Sequence, residues 1–179
     1  MAGGERLRVF CALRLPEDTI SALVAWQHAQ LRNGRIVPPD NLHLTLAFLG
    51  SRPVDELRDI AAELAAAAQR AHDLRLRVRG YRETRSVGML TYDDEGGRAA
   101  VVAGELGRRL EELGVYRREA RPWLPHVTVL RFSARRPRLS PTLDSLPREV
   151  VPSDAAVYLS RLSPSGAQYE VLESVALGG

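Results

Sequence analysis

His43-Leu44-Thr45-Leu46 and its second copy, His126-Val127-Thr128-Val129, decide the fold of this 179-residue chain. Each copy reads histidine, apolar residue, threonine, apolar residue, although the chain contains only four histidines. The copies lie too far apart in sequence to belong to one helix or one hairpin. The repeat therefore indicates two halves of one fold that carry the same local structure.

Strand geometry assigns a face of the sheet to each motif side chain, because residues i and i+2 of an extended segment point to the same side. His43 then shares a face with Thr45. By the same rule His126 shares a face with Thr128. The opposite faces are apolar and are expected to enter the core; their residues are Leu42, Leu44, Leu46 and Phe48 in the first copy and Val127 and Val129 in the second.

Each half therefore offers one imidazole, which titrates near pH 6.5, and one hydroxyl that donates a hydrogen bond. If the halves face each other, a neutral histidine can accept a proton while a protonated one donates a proton, and the hydroxyls can hold an oxyanion. This arrangement suits attack on a phosphodiester, since phosphoryl transfer needs mainly positioning and charge stabilisation. It predicts a bell-shaped pH profile of kcat/KM with histidine-like pKa values on both limbs.

The motifs have two simpler interpretations. An isolated His-x-Thr on a strand is usually just part of a half-buried strand. A zinc site would need three or four nitrogen, sulfur or carboxylate ligands, and neither copy has a second histidine, a cysteine or an acid at ligand spacing. We therefore expect neither a metal nor a cofactor.

Composition favours one domain over residues 1–179, because no linker rich in glycine, serine or charge divides the chain. The single cysteine, Cys11, excludes an intrachain disulfide and fits a reducing cytoplasm. Residues 1–6 lead directly into a short alternating strand, which predicts no signal peptide. No apolar run approaches the roughly 20 residues that span a bilayer.

All 25 basic residues are arginine, and the net charge is +3. Arginine suits bidentate phosphate contacts, although a high arginine content also follows from genomic base composition. In the stretch 74–79 alternation puts Arg75, Arg77 and Arg79 on one face, which is either simply solvated or follows a phosphate backbone. Phe10, among arginines on the first strand, either stacks on a base or is covered by the rest of the fold.

Hydrophobic periodicity predicts an alternating series of strands and helices. Strands are expected over 7–15, at both histidine motifs, and over 74–79, 87–92, 156–162 and 169–175; helices are expected from Pro16 to about Gly34, from Pro53 to about Ala71, and over 98–113. The buried side of the first helix is expected to carry Ile20, Leu23, Val24 and Leu31. The proline-rich stretch 135–152 is expected to be a surface loop.

The longer stretches around both motifs resemble the signatures of the bacterial 2′-5′ RNA ligase/RNA 2′,3′-cyclic phosphodiesterase family, in the two-histidine phosphoesterase superfamily. The first stretch is Asp40-Asn41-Leu42-His43-Leu44-Thr45-Leu46-Ala47-Phe48-Leu49-Gly50. The second is Arg121-Pro122-Trp123-Leu124-Pro125-His126-Val127-Thr128-Val129-Leu130-Arg131, which is similar to RPxxPHxTxxR. Both ends of the chain also fit, so the resemblance spans almost its whole length.

The resemblance implies an α+β fold that is bilobal, with two facing antiparallel sheets, helices on the outside, a pseudo-twofold relation and a central basic cleft. It implies metal-independent opening of 2′,3′-cyclic phosphates at RNA ends, leaving a 2′-phosphate. Joining of RNA ends through a 2′-5′ bond is associated with the family as well. The expected partners are RNA ends bearing 2′,3′-cyclic phosphate, or nucleotides, and no membrane; the expected state is a cytoplasmic monomer.

Carried over by position, the resemblance makes His43 and His126 the acid/base pair, without saying which is the acid. It makes Thr45 and Thr128 the donors to phosphate oxygens. Arg131 is the matching arginine of the second signature, yet strict alternation puts it opposite His126. Either the strand bulges or ends after Thr128, or Arg131 acts in structure or at the cleft edge.

Two other classes of function stay open. One is a phosphoesterase of the same superfamily that acts on small cyclic nucleotides or on cyclic phosphates from tRNA processing. The other is a non-catalytic RNA-end-binding module that uses the arginine face. Two groups that titrate near neutrality argue against the second class, since binding alone would not require them.

Overall fold

Two antiparallel sheets and three helices make up residues 4–178, the part of the chain that the structure, a computed structural model, describes. In chain order the elements are β1 (Arg6–Arg14), α1 (Glu17–Gln30), β2 (Arg35–Ile36), β3 (His43–Pro53), α2 (Leu57–Ala68), β4 (Leu76–Glu83), β5 (Val87–Asp94), α3 (Arg98–Glu112), β6 (His126–Arg131), β7 (Glu149–Val150), β8 (Asp154–Ser163) and β9 (Gly166–Val175). The predicted α+β class is confirmed.

The strand order is β3-β1-β8-β9 in sheet A and β2-β6-β5-β4-β7 in sheet B. Each sheet therefore carries one histidine motif, on β3 and on β6, and these two strands pack against each other. The two-residue strands β2 and β7 carry no periodicity and were not predicted. β7 interrupts the stretch 135–152, which is otherwise a loop as predicted.

Two further expectations concern a signal peptide and membrane-spanning segments. The predicted absence of a signal peptide concerns residues 1–3 as well, which lie outside the described residues. Within residues 4–178, the helices are all too short or too polar to cross a membrane.

Sheet A is covered on both faces of its inner strand β1. Val9, Cys11 and Leu13 point into the main core and are fully buried, as the alternation predicts. On the other face Phe10 is 3% exposed, because its ring stacks on Tyr158 at 4.9 Å between centroids. The covered interpretation of Phe10 is therefore correct.

Helices α2 and α3 pack together and cover the core with regular apolar stripes. The fully buried residues of these stripes are Ile60 and Leu64 on α2 and Val102, Leu106 and Leu110 on α3. At the start of α3, the Asp94 carboxylate accepts hydrogen bonds from the backbone N–H of Ala99 (3.0 Å) and Ala100 (2.8 Å). These donors would otherwise lack partners, as at any helix start.

The buried side of the first helix agrees only in part with the prediction: Leu23 and Leu31 are buried as expected. Ile20 and Val24 are only partly buried, whereas Trp26 and Gln27 are buried almost completely. The Trp26 indole N–H donates to the carbonyl of Thr142 at 2.7 Å, which turns this side of the helix toward the loop after β6. Hydrogen bonds to neighbouring segments, invisible to a hydrophobic count, therefore set the rotation of α1.

Both motif strands contain a β-bulge one residue after the motif threonine. On β3 the register with β1 skips Leu46, and on β6 the register with β5 skips Val129. Each bulge turns the following residues by one position, so Phe48 and Arg131 face the same side as the motif histidines. Phe48, predicted to lie in the core, is 47% exposed; that prediction is wrong because strict alternation fails at the bulge.

Candidate active site

A cleft of ≈ 600 Å³ opens between the sheets, and side chains of both histidine motifs line it. The five residues singled out in the sequence all lie on its wall: His43, Thr45, His126, Thr128 and Arg131. Strand β3 of sheet A supplies the first pair and β6 of sheet B supplies the rest. The fold thus brings together residues from distant parts of the chain.

The ring of His43 has a fixed orientation. Its Nδ1 lies 2.8 Å from the carbonyl oxygen of Asn41, which can only accept, so Nδ1 carries the proton. Its Nε2 is then the unprotonated nitrogen of the neutral ring and accepts a hydrogen bond from the Thr45 hydroxyl at 3.0 Å. Phe10 and Tyr169 flank the ring at centroid distances of 4.9 and 5.4 Å. This geometry presents Nε2 of His43 as a base in the cleft.

The surroundings of His43 favour its neutral form. Burial lowers the pKa of His43 to about 4, and the positive charges of His126 and Arg131 act in the same direction, while the carbonyl of Asn41 partly opposes them. His43 is therefore uncharged at neutral pH. A phosphate in the cleft would add a negative charge and favour the protonated form that results once His43 has accepted a proton.

The ring of His126 is oriented by the same kind of hydrogen bond as that of His43. Its Nδ1 donates to the carbonyl of Leu124 at 2.8 Å, the residue two positions earlier, as in the first motif. The ring nitrogen left for chemistry is again Nε2. Neighbouring Trp123 donates its indole N–H to the carbonyl of Thr45 at 2.9 Å and so ties the segment before β6 to the first motif strand. No role was predicted for Trp123 from the sequence, although it lies inside the second signature.

The walls of the cleft carry three arginines, Arg8, Arg35 and Arg131. Within residues 4–178 none of the three forms an ion pair with a carboxylate. Arg35 donates to the backbone carbonyl of Ser165 at 2.7 Å, which fixes its position and leaves its charge uncompensated. The cleft therefore has the electrostatic character of an anion-binding site.

The chain is similar in sequence to known proteins. The family model described as "LigT like Phosphoesterase" matches residues 13–86, which include the first motif. A protein of Thermus thermophilus named RNA 2′,3′-cyclic phosphodiesterase is 35% identical over 190 residues, covering 97% of this chain and 91% of the relative. The chain belongs to the LigT-like phosphoesterase family. An Escherichia coli protein of the same name is 31% identical over 156 residues, covering 76% of this chain and 78% of the relative.

Solved structures extend the similarity over the whole fold. A crystal structure of a Thermus thermophilus protein has a TM-score of 0.78 at 35% identity and covers 97% of this chain and 99% of that one. The crystal structure of E. coli LigT complexed with NADP+ has a TM-score of 0.77 at 25% identity and covers 98% and 100%. The predicted membership of the RNA cyclic phosphodiesterase family is confirmed.

The position of Arg131 in this LigT-like chain depends on a buried glutamine that the sequence argument missed. The side-chain amide of Gln27 is completely buried and donates to the carbonyl of the bulged residue Val129 at 2.9 Å and to that of Val37 at 3.0 Å. The backbone N–H of Val37 also donates to the Val129 carbonyl, at 3.1 Å. These bonds hold the bulge, and the bulge directs Arg131 into the cleft.

We expect Gln27→Met, which keeps the volume and removes both donated bonds, to lower the free energy of unfolding by about 1–3 kcal/mol, since the Val37 carbonyl loses its bond from Gln27 and the Val129 carbonyl keeps only that from the Val37 N–H. Urea denaturation measures this loss. The matched control is Gln69→Met at an exposed position after α2, where the change is expected to stay within about 0.5 kcal/mol. Equal effects at both positions would contradict the assigned role of Gln27.

The arginine face at residues 75–79, which begins one residue before β4, does not take part in the cleft. Its three side chains are ion-paired: Arg75 with Asp73 and Glu149, Arg77 with Glu95, and Arg79 with Asp93 at 3.8 Å. Their charges are thus largely compensated by the protein itself, and the solvated interpretation of this face is favoured. In the described part of the chain, no cluster of three histidine, cysteine or acidic side chains is placed to hold a metal ion.

Proposed function

We propose that this LigT-like phosphoesterase opens 2′,3′-cyclic phosphate ends of RNA and leaves a 2′-phosphate, by acid/base catalysis without a metal. The observation that carries this proposal is the pairing, in one arginine-lined cleft, of two histidines that each have Nδ1 bonded to a backbone carbonyl and a threonine two residues away. The relatives in Thermus thermophilus and E. coli are named for the same substrate.

In this mechanism His43 is the base. Its Nε2 accepts a proton from water as the water oxygen attacks phosphorus, and the lowered pKa of His43 keeps this nitrogen unprotonated at neutral pH. The hydroxyl of Thr45, now on Nε2, lies close enough to turn to a phosphate oxygen once substrate enters. His43 thereby becomes an imidazolium beside the developing negative charge.

His126 is the acid. Attack by water breaks the bond between phosphorus and the 3′ oxygen, and that oxygen departs with the proton from Nε2 of His126 in its imidazolium form. Thr128 and Arg131 donate to the phosphate oxygens and stabilise the charge that accumulates there. With a 5′ hydroxyl of another RNA end in the place of the attacking water, the same displacement of the 3′ oxygen would join the two ends through a 2′-5′ bond.

The test is hydrolysis of a short RNA that ends in a 2′,3′-cyclic phosphate, in excess EDTA. We expect turnover at the same rate with and without EDTA and a product whose phosphate is on the 2′ oxygen. A 3′-phosphate product would overturn the assigned polarity, and strict dependence on an added divalent ion would overturn the mechanism. Activity confined to small cyclic nucleotides would favour the alternative substrate class.

The pH at which kcat/KM falls on the acidic side of its profile tests whether His43 is the base. Because kcat/KM reports the free enzyme, and the pKa of His43 is lowered to about 4, we expect activity to fall only as the pH drops through about 4. This value replaces the ordinary histidine pKa that the motifs alone predicted for this limb, because the motifs do not show the burial of His43. Measurement of kcat/KM between pH 3.5 and 9, with circular dichroism at each pH, checks this expectation. An acid limb centred between pH 6 and 7 in folded protein would mean that His43 is not the base.

We further propose that residues 1–179 act as one catalytic domain, as a monomer in the cytoplasm. Both histidines and both threonines come from the same chain, so the site needs no second copy. The one cysteine, Cys11, is free and buried, which fits a compartment without disulfides. Sedimentation that shows a dimer at working concentrations would contradict the monomer.

A further inference from the structure

Phe48 presents an aromatic face to the cleft where a strand residue would normally point into the core. The bulge at Leu46 turns its ring outward, and the side chain is 47% exposed. Phe10, on the same wall, is sealed against Tyr158 and offers no free face. The ring therefore offers apolar surface inside the cleft, where a ligand can cover it.

The guanidinium of Arg8 lies over one face of this ring. The guanidinium carbon lies 4.6 Å from the centroid of Phe48, and both side chains line the cleft. Within residues 4–178 the charge of Arg8 has no carboxylate partner. A planar cation next to an aromatic face is the pair that nucleic-acid-binding proteins use to stack a base and to contact its phosphate.

The distance from the reacting groups fits a nucleotide chain. Phe48 lies three residues beyond Thr45 on β3, which is at most about 10 Å along a strand. Nucleotides stacked along a helical strand advance about 3.4 Å each, so at most about three of them fit within this distance. A base among the last three of an RNA, with its cyclic phosphate at Thr45, reaches the ring of Phe48.

We propose that Phe48 and Arg8 form a stacking subsite for a nucleobase within the last three nucleotides of the RNA. This inference rests on the proposed function, because it takes the cyclic phosphate to lie between the two histidines. Stacking uses the π-face that every base has, so the subsite accepts RNA ends of any sequence. It distinguishes an RNA end from a cyclic phosphate that has no base.

The experiment compares two short RNAs with the same cyclic phosphate end, one with all bases and one abasic at its last three positions. We expect Phe48→Ala to raise KM on the base-bearing RNA about 5-fold or more, with kcat little changed. On the abasic RNA we expect the variant to match the parent. Phe48→Tyr should restore KM, and Val101→Ala, at an exposed site on α3, should change nothing.

A second measurement separates this inference from the proposed function. Fluorescence anisotropy gives the affinity for the same RNA ending in a 2′-phosphate, which needs no catalysis, and here too Phe48→Ala should weaken binding about 5-fold or more. If the parent opens neither RNA but this loss of affinity is seen, the proposed function fails and the subsite stands. Equal binding by Phe48→Ala and the parent, or an equal loss on abasic RNA, would overturn the subsite.

Discussion

His43→Ala and His126→Ala are each expected to lower kcat on a cyclic-phosphate RNA end by about 10²–10⁴-fold, the range that one positioned acid or base contributes. Both histidines offer Nε2 in the cleft because a backbone carbonyl holds Nδ1 at 2.8 Å in each. Alanine removes the proton-transferring group and leaves the arginines that attract the substrate. KM is therefore expected to change less than kcat.

The double variant and a matched control sharpen this result. Since both histidines act in one step, we expect the double variant to lose less than the product of the two single losses. His28→Ala, at an exposed position on α1, should retain full activity. A loss below tenfold in either single variant, in folded protein, would contradict the two-histidine mechanism.

The largest expected effect on stability comes from a buried ion pair outside the cleft. Glu83 and Arg136 lie 2.9 Å apart, and both side chains are only 7% exposed. The Glu83 carboxylate also accepts from the Tyr81 hydroxyl at 2.9 Å and from the backbone N–H of Leu139 at 3.2 Å. The pair thus fastens the loop that follows β6 to the end of β4.

We expect Glu83→Ala to lower the free energy of unfolding by about 3–5 kcal/mol, because it leaves the Arg136 guanidinium buried without its partner. Urea denaturation followed by circular dichroism measures the loss. The control is Glu170→Ala, which removes an exposed pair with Arg161 and should cost at most about 1 kcal/mol. The double replacement Glu83→Met with Arg136→Met should recover most of the loss, and no recovery would contradict the buried-charge explanation.

Sequence reasoning located the motif side chains because alternation is reliable over three residues. His43 and Thr45 share a face, as do His126 and Thr128, whatever happens further along the strand. The helices α2 and α3 could be predicted equally well, since their apolar stripes are long and regular. These features depend on local period alone.

The unpredicted features depend on contacts between distant segments. A bulge is a property of two paired strands, so alternation along one strand placed Phe48 in the core and Arg131 away from His126. Gln27 looked like an ordinary polar helix residue because its acceptors belong to segments far along the chain. The β4 arginines could be judged only once the carboxylates facing them were known.

The bulge at Val129 gives a meaning to the spacing of the second signature. In a regular strand, residues that share a side have an odd number of residues between them, yet two residues stand between Thr128 and Arg131. This even spacing, with two consecutive buried residues after a polar one, therefore indicates the bulge in the sequence itself. A one-residue deletion between the threonine and the arginine would restore the pleat and leave the guanidinium on the catalytic side, so chains with the shorter spacing need no counterpart of Gln27.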